Sequence, residues 1–221
     1  MNEYLLLKFA HIIAFVYWLG GDLGTFLASR QVVNGTLSEE SRSVALKIML
    51  ACDMGPKLAM PLILPMGLHL AYLGGAPAIS GAAVTTAWLL SLYWFTVVMV
   101  LFLNEGKAFA ARLSTIDFYF RLIVVVALLV YAGSMLSGAA NSAWDWVAWK
   151  LLVFAALVSC GIAIRLHLKP FLPAFIAMAS RGASESGDLI MEKSIAKCRP
   201  YVWCIWAGLF LNAALGVHLI G

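Results

Sequence analysis

Six stretches of the chain stay apolar for long enough to cross a bilayer: residues 4–28, 57–73, 82–103, 119–137, 146–166 and 200–219. About 20 apolar residues at ~1.5 Å rise cover a hydrocarbon core ~30 Å thick, so each stretch predicts a transmembrane helix. The first, YLLLKFAHIIAFVYWLGGDLGTFLA, is not uniformly apolar. His11, Phe15, Trp18, Asp22 and Thr25 recur at steps of three or four and share one side, while Ile12, Ile13, Val16, Leu19, Leu23 and Leu27 cover much of the rest. Ionisable groups at membrane depth are costly in lipid, so this stripe is expected to face the inside of a bundle.

The links between the stretches carry the polar pattern. In NGTLSEESRSVALKIMLACDMGP, Ser38 reads as an N-cap followed by Glu39 and Glu40, which suit a helix N-terminus. An amphipathic helix on the membrane surface is expected there, and a second in the long link from Arg165 to Arg199. Links 29–57, 104–121 and 165–199 hold every Lys and Arg except Lys8 and Lys150. Basic residues mark the cytoplasmic side, so both termini are expected outside, in the periplasm of a bacterial inner membrane. The expected fold class is therefore an all-α membrane protein of six transmembrane helices in one bundle, with two cytoplasmic amphipathic helices and a single domain over 1–221.

Composition agrees and narrows the function classes. Hydrophobic residues make up 63% and charged residues 12%, with a mean hydropathy of +0.92. Six spans leave no room for a separate soluble enzyme domain. The net charge of +4 follows from the basic links and is not a nucleic-acid signal. Cys52, Cys160, Cys198 and Cys204 form no CxxC pair, and residue 1 is expected to be mature sequence because no basic, cleavable leader precedes the first span. No serine, histidine and acid set, phosphate loop or HExxH pattern is present. Asp22 is the acid set within a span, whereas Asp53, Glu105, Asp117 and Asp145 fall at span ends.

Histidine is the candidate chemistry. With the termini outside, His11 lies about two turns below the outer end of the first span, and His69 and His218 about one turn below the outer ends of the second and sixth. His167 lies at the opposite, cytoplasmic end of the fifth and reads as interfacial. An imidazole in the apolar zone needs partners for both nitrogens, or a metal on one of them. Lys8 is three residues before His11, and Lys150 opens the fifth span. Each could meet an anionic cofactor edge, or simply extend its ammonium to the headgroups. The second and sixth spans both close on Gly-x-His-Leu, at Gly67 and Gly216, where a flat macrocycle or a neighbouring helix could approach the backbone.

Lys8-x-x-His11, Trp18-x-Gly20-Gly21 and Arg30 resemble the opening helix of the CopD-like copper-resistance membrane proteins and related uncharacterised integral membrane families. The same stretch is similar to the haem-binding bacterial membrane-bound protoporphyrinogen oxidase. WKLLVFAALVSCGIAIRLHLKPFLP is similar to a CopD-type helix. The resemblance implies a haem-ligand role for His11 and supporting roles for Trp18, Arg30 and Lys150. The leading expectation is a haem b protein of the cytochrome b type, ligated by His11 with either His69 or His218. It would pass electrons to or from quinone or a partner subunit of an oxidoreductase. Copper handling, with Met66, His69 and Met135 as soft ligands, is the second expectation, and a cofactor-free anchor the third. Membrane lipid is the expected surrounding, and a homo-oligomer is compatible with all three.

Overall fold

The computed structural model describes residues 2–104, 106–138 and 143–220; Glu105 and residues 139–142 of the link before the fifth span lie outside them. The described residues form seven helices and no strand: α1 (Glu3–Val32), α2 (Glu39–Leu73), α3 (Gly81–Leu103), α4 (Ala108–Ser137), α5 (Asp145–His167), α6 (Phe171–Arg181) and α7 (Glu185–Gly216). Helices α1 to α4, and the segment Asp145–Arg181 in which α5 is the long part, are long and apolar enough to cross a membrane. Helix α7 is as long as these, but Arg199, Pro200 and Asn212 interrupt its apolar run.

Helices α1 and α2 run antiparallel along a seam of backbone contact. A Cβ on Gly24 would lie 2.7 Å from the Cys52 sulfur, one on Gly55 2.7 Å from the Tyr17 carbonyl oxygen, and one on Gly21 2.7 Å from the Cys52 carbonyl oxygen. Glycine at these three positions lets two backbones approach where any side chain would hold them apart. Helix α5 packs on both α4 and α7, and its main core gathers Trp18, Trp94, Phe154, Leu157, Val158, Ile205 and Leu209.

At 30, 35 and 32 residues, α1, α2 and α7 are roughly 45, 52 and 48 Å long, well beyond a ~30 Å hydrocarbon core. Their surplus lies at one end, where Val32, Met49, Phe171, Phe175, Met178, Met191 and Ile195 form a second apolar cluster. Arg42 passes through it, 1% exposed, donating from Nε to the Val32 carbonyl and from Nη2 to Asp188 Oδ1, both at 2.8 Å. One charged pair thus ties the ends of α1, α2 and α7 together.

A second charged cluster, with two arginines, joins α4 to α5. Arg121 Nε and Arg165 Nη1 both donate to Oδ2 of Asp117 at 2.9 Å, and Asp117 is 2% exposed. Arg165 Nη2 also donates to the backbone and hydroxyl oxygens of Ser114.

Four expectations need correction. The surface helix expected before the second span is not separate: α2 runs unbroken from its Ser38 cap, through Pro56, Pro61 and Pro65, to Leu73. Gly55-Pro56 reads as a break, but here its residues form the α1 seam, and packing against α1 outweighs the lost N–H groups. The link after the fifth span holds one short helix, α6, and the rest of it belongs to α7, so there is one separate amphipathic helix and not two. Helix α4 likewise begins at Ala108, well before residue 119, and α7 stops at Gly216, which leaves His218 beyond the helix.

Candidate functional site

The inward stripe of α1 is real. Trp18 is 1% exposed and meets Phe154 edge-on, with centroids 6.0 Å apart at 88°. His11, Phe15, Asp22 and Thr25 are half-buried, whereas Ile12, Ile13, Val16, Leu23 and Leu27 are exposed on the other side; Leu19, expected with them, is instead half-buried against the main core. Below Trp18, its indole interacts with the Asp22 carboxyl one turn on, and the charge of Asp53 acts on the same group. Asp53 is itself paired with Lys57, and Oδ2 of Asp22 is buried with no hydrogen-bond partner.

His11 sits against α2. Its ring rests on the backbone of Gly67, where an added Cβ would be 3.2 Å from Cε1. The Ile63 carbonyl interacts with the imidazole, and Nδ1 is buried without a hydrogen bond of normal geometry. Lys150, near the start of α5, stands at the same end, four residues before the Phe154 that meets Trp18. The Lys150 ammonium lies over the Trp146 face at 5.5 Å and against Gly216, where a Cβ would be 2.8 Å from Nζ. Among the described residues Lys150 forms no ion pair. Asn212 Nδ2 donates to the Lys150 carbonyl at 3.4 Å, while its Oδ1 is buried without a partner. The two Gly-x-His-Leu glycines therefore seat the His11 ring and the Lys150 ammonium.

The other predicted residues separate. His69 places Nε2 3.8 Å from Glu3 and its ring beside Tyr72 at 6.5 Å, while its Nδ1 is buried and unbonded. His218 is exposed past the end of α7, with positive φ, and meets Trp146 edge-on at 5.0 Å. No ring contact or hydrogen bond joins any two of these three imidazoles. Trp146 nevertheless links His218 to Lys150, and the Trp18–Phe154 contact sets the starts of α1 and α5 at the same end, so His11, Lys150 and His218 share it. Lys8 is exposed and does not join them. Arg30 caps the far end of α1, over Phe26 at 5.6 Å, and 19 residues of helix put it roughly 28 Å from His11. A role beside a cofactor at His11 is out of its reach. His167 stacks on Tyr201 at 5.5 Å, at the end opposite His11.

A haem fits this arrangement in part. His11 offers a half-buried ring whose Nδ1 lacks a hydrogen bond of normal geometry, and Lys150 a cation without an ion-pair partner among the described residues, which suit one axial bond and one propionate. A second imidazole is not aligned with the first. The copper set is not assembled: Met66 lines an apolar, outward-facing groove of about 420 Å³ between α1 and α2, together with Phe9, Ile13, Tyr17 and Leu62, and Met135 packs against the main core. No group of three or more His, Cys, Asp or Glu side chains suited to a metal ion occurs among the described residues.

The arginine pairs were missed from the sequence. Asp117 and Arg121 stand four apart in one helix, a spacing that does signal an ion pair, but Arg165 comes from 48 residues away. The chain matches no protein-family model, no curated protein and no solved structure.

Proposed function

We propose that this protein is a multi-pass membrane redox subunit of the cytochrome b type that binds haem b at the shared end of α1, α5 and α7. One observation carries the reading: the half-buried His11, whose Nδ1 is buried without a hydrogen bond of normal geometry, and the Lys150 ammonium, without an ion-pair partner among the described residues, stand at the same end of the bundle, each above the Trp18–Phe154 contact. Both groups are costly at this depth without a ligand, and an anionic, metal-bearing cofactor relieves both. His11 would hold the iron and Lys150 a propionate. Haem would supply one-electron chemistry, exchanged with quinone or a partner subunit.

His11 is the one candidate ligand whose ring is seated in the bundle; of the other two, His218, on Trp146 beside Lys150, would have to turn toward His11 to become the second ligand, whereas His69 is engaged with Glu3. The chain's own part is to hold His11 against Gly67, and to keep Lys150 over Trp146 near enough to neutralise an acid. With α7 read as a sixth span, the distribution of basic residues supports both termini outside a bacterial inner membrane and the Arg42 and Asp117 clusters in the cytoplasmic half.

The test is an absorption spectrum of the detergent-purified protein from haem-replete cells, oxidised and then reduced. A Soret band is expected that weakens or shifts in His11→Ala and in His218→Ala but not in His69→Ala. A colourless preparation overturns the reading, and copper without haem absorbance would transfer it to copper handling. Full function after replacing all three histidines by alanine would leave a cofactor-free anchor.

A further inference from the structure

The Asp117 cluster carries more positive charge than it uses. Two guanidiniums converge on a single carboxylate oxygen, so the group has a net charge of +1, and among the described residues no other acid pairs with either arginine. Arg121 spends only its Nε on Asp117, while its guanidinium lies over the Trp94 ring at 5.0 Å. Arg165 spends both Nη groups on Asp117 and Ser114 and lies over Phe118 at 5.6 Å. Both Nη groups of Arg121 and the Nε of Arg165 make no hydrogen bond and are not sealed inside, for the side chains are 14% and 32% exposed. The cluster thus turns its spare donors to the surface and its acid to the interior.

That surface is apolar. The stretch of α4 that holds the cluster exposes Ile116, Tyr119, Leu122 and Ile123, and the end of α3 exposes Phe102 and Leu103. Side chains of this kind face acyl chains, so the spare N–H groups open at the edge of the lipid rather than into a water-filled cleft. An arginine fork binds two phosphate oxygens in parallel, and stacking on Trp94 fixes the fork before the anion arrives. Basic pockets between transmembrane helices on the cytoplasmic side are suited to anionic headgroups.

We infer that Arg121 and Arg165, braced by Asp117, Trp94 and Phe118, form a binding site for the phosphate of an anionic phospholipid at the cytoplasmic edge of α3, α4 and α5. Asp117 sets the arginines and does not itself face the lipid. A free phosphate ion presents the same oxygens, so the two sources must be separated by experiment.

The full chain is reconstituted in nanodiscs of phosphatidylcholine alone, of phosphatidylcholine with phosphatidylglycerol, and of phosphatidylcholine with inorganic phosphate in the buffer, and thermal unfolding is followed. Phosphatidylglycerol is expected to raise the midpoint of the wild type by several degrees, and Arg121→Gln to remove most of that gain. Gain from inorganic phosphate alone, lost in Arg121→Gln, would assign the site to a soluble phosphate. Should the glutamine variant fail to fold, Arg121→Lys keeps the charge but loses the fork, and is expected to halve the gain at least. An equal gain in wild type and variant overturns the inference. So does an equal loss in Lys107→Gln, since Lys107 is held by Asn104 in the neighbouring link and can report only general surface charge.

Discussion

The imidazole of His11 and the backbone of Gly67 occupy one contact: a single methyl added at Gly67 would stand 3.2 Å from Cε1, closer than a relaxed packing distance. Gly67→Val is therefore expected to push the ring out of its seat at a cost of about 1–3 kcal/mol, the usual range for overpacking. The coupling is specific to the pair. In a His11→Ala background the valine would fill the vacated space, so its cost should fall to about half or less, and a double-mutant cycle by thermal unfolding in detergent reads this directly. Equal costs in both backgrounds would mean that the ring is not what Gly67 accommodates.

Two adjacent glycines of α1 should behave oppositely. A Cβ on Gly21 meets the Cys52 carbonyl oxygen at 2.7 Å and collides with Pro56, whereas one on Gly20 meets nothing within 4 Å. Gly20→Ala is expected to stabilise by about 0.5–1 kcal/mol, from helix propensity alone. Gly21→Ala must part the α1 and α2 backbones and is expected to lose about 2–3 kcal/mol despite the same propensity gain. Chemical or thermal unfolding of the two variants side by side checks the sign as well as the size.

The contrast between these glycines shows what could be read from the sequence. The 3.6-residue period gave the inward side of α1, and the third stretch, 82–103, falls within one residue of α3, since both rest on neighbours in the chain. Whether Gly55-Pro56 ends a helix or continues it is decided by Gly21, 34 residues away, and no local signal carries that. The histidines failed for a geometric reason. Depth along a helix follows from counting residues, but direction changes by about 100° per residue, so Gly67 and His69 point about 200° apart. Once Gly67 faces His11, His69 must face elsewhere, toward Glu3 and Tyr72. Nothing in the Gly-x-His-Leu spacing itself says which of its two residues meets the neighbour.

The Arg42–Asp188 pair is lopsided in burial, at 1% and 28% of side-chain surface, and that predicts an asymmetry. Arg42→Met removes both charge-assisted hydrogen bonds but leaves Asp188 able to rehydrate, an expected loss of about 2–3 kcal/mol. Asp188→Asn strands a guanidinium in the apolar cluster of Val32, Met191 and Ile195, and the expected loss is larger, about 3–5 kcal/mol. Thermal unfolding ranks the two. Because the pair closes the end built from α2, α6 and α7, both variants should also speed proteolysis at the turn around Gly182. A smaller loss for Asp188→Asn than for Arg42→Met would show that Arg42 is held by the Val32 carbonyl alone.

Lys150 separates stability from ligand binding. Its ammonium is half-buried, rests on Trp146 and the Gly216 backbone, and lacks an ion-pair partner among the described residues. The cation–π contact returns only about 0.5–2 kcal/mol, less than the desolvation of an isolated ammonium costs. Lys150→Met keeps the stem that packs on Trp146 and removes the charge. Without ligand, the variant is therefore expected to be more stable than the wild type by about 1–2 kcal/mol, a gain measurable as a higher unfolding midpoint. With haem added to the apo-protein, the order should reverse, because the wild type gains a propionate partner that methionine cannot provide. Residues that lower stability in the free protein and raise it in the bound one are the signature of a site shaped for its ligand. A Lys150→Met protein that is less stable in both states would make this lysine a plain headgroup anchor and leave a propionate at this end without a neighbouring counter-charge.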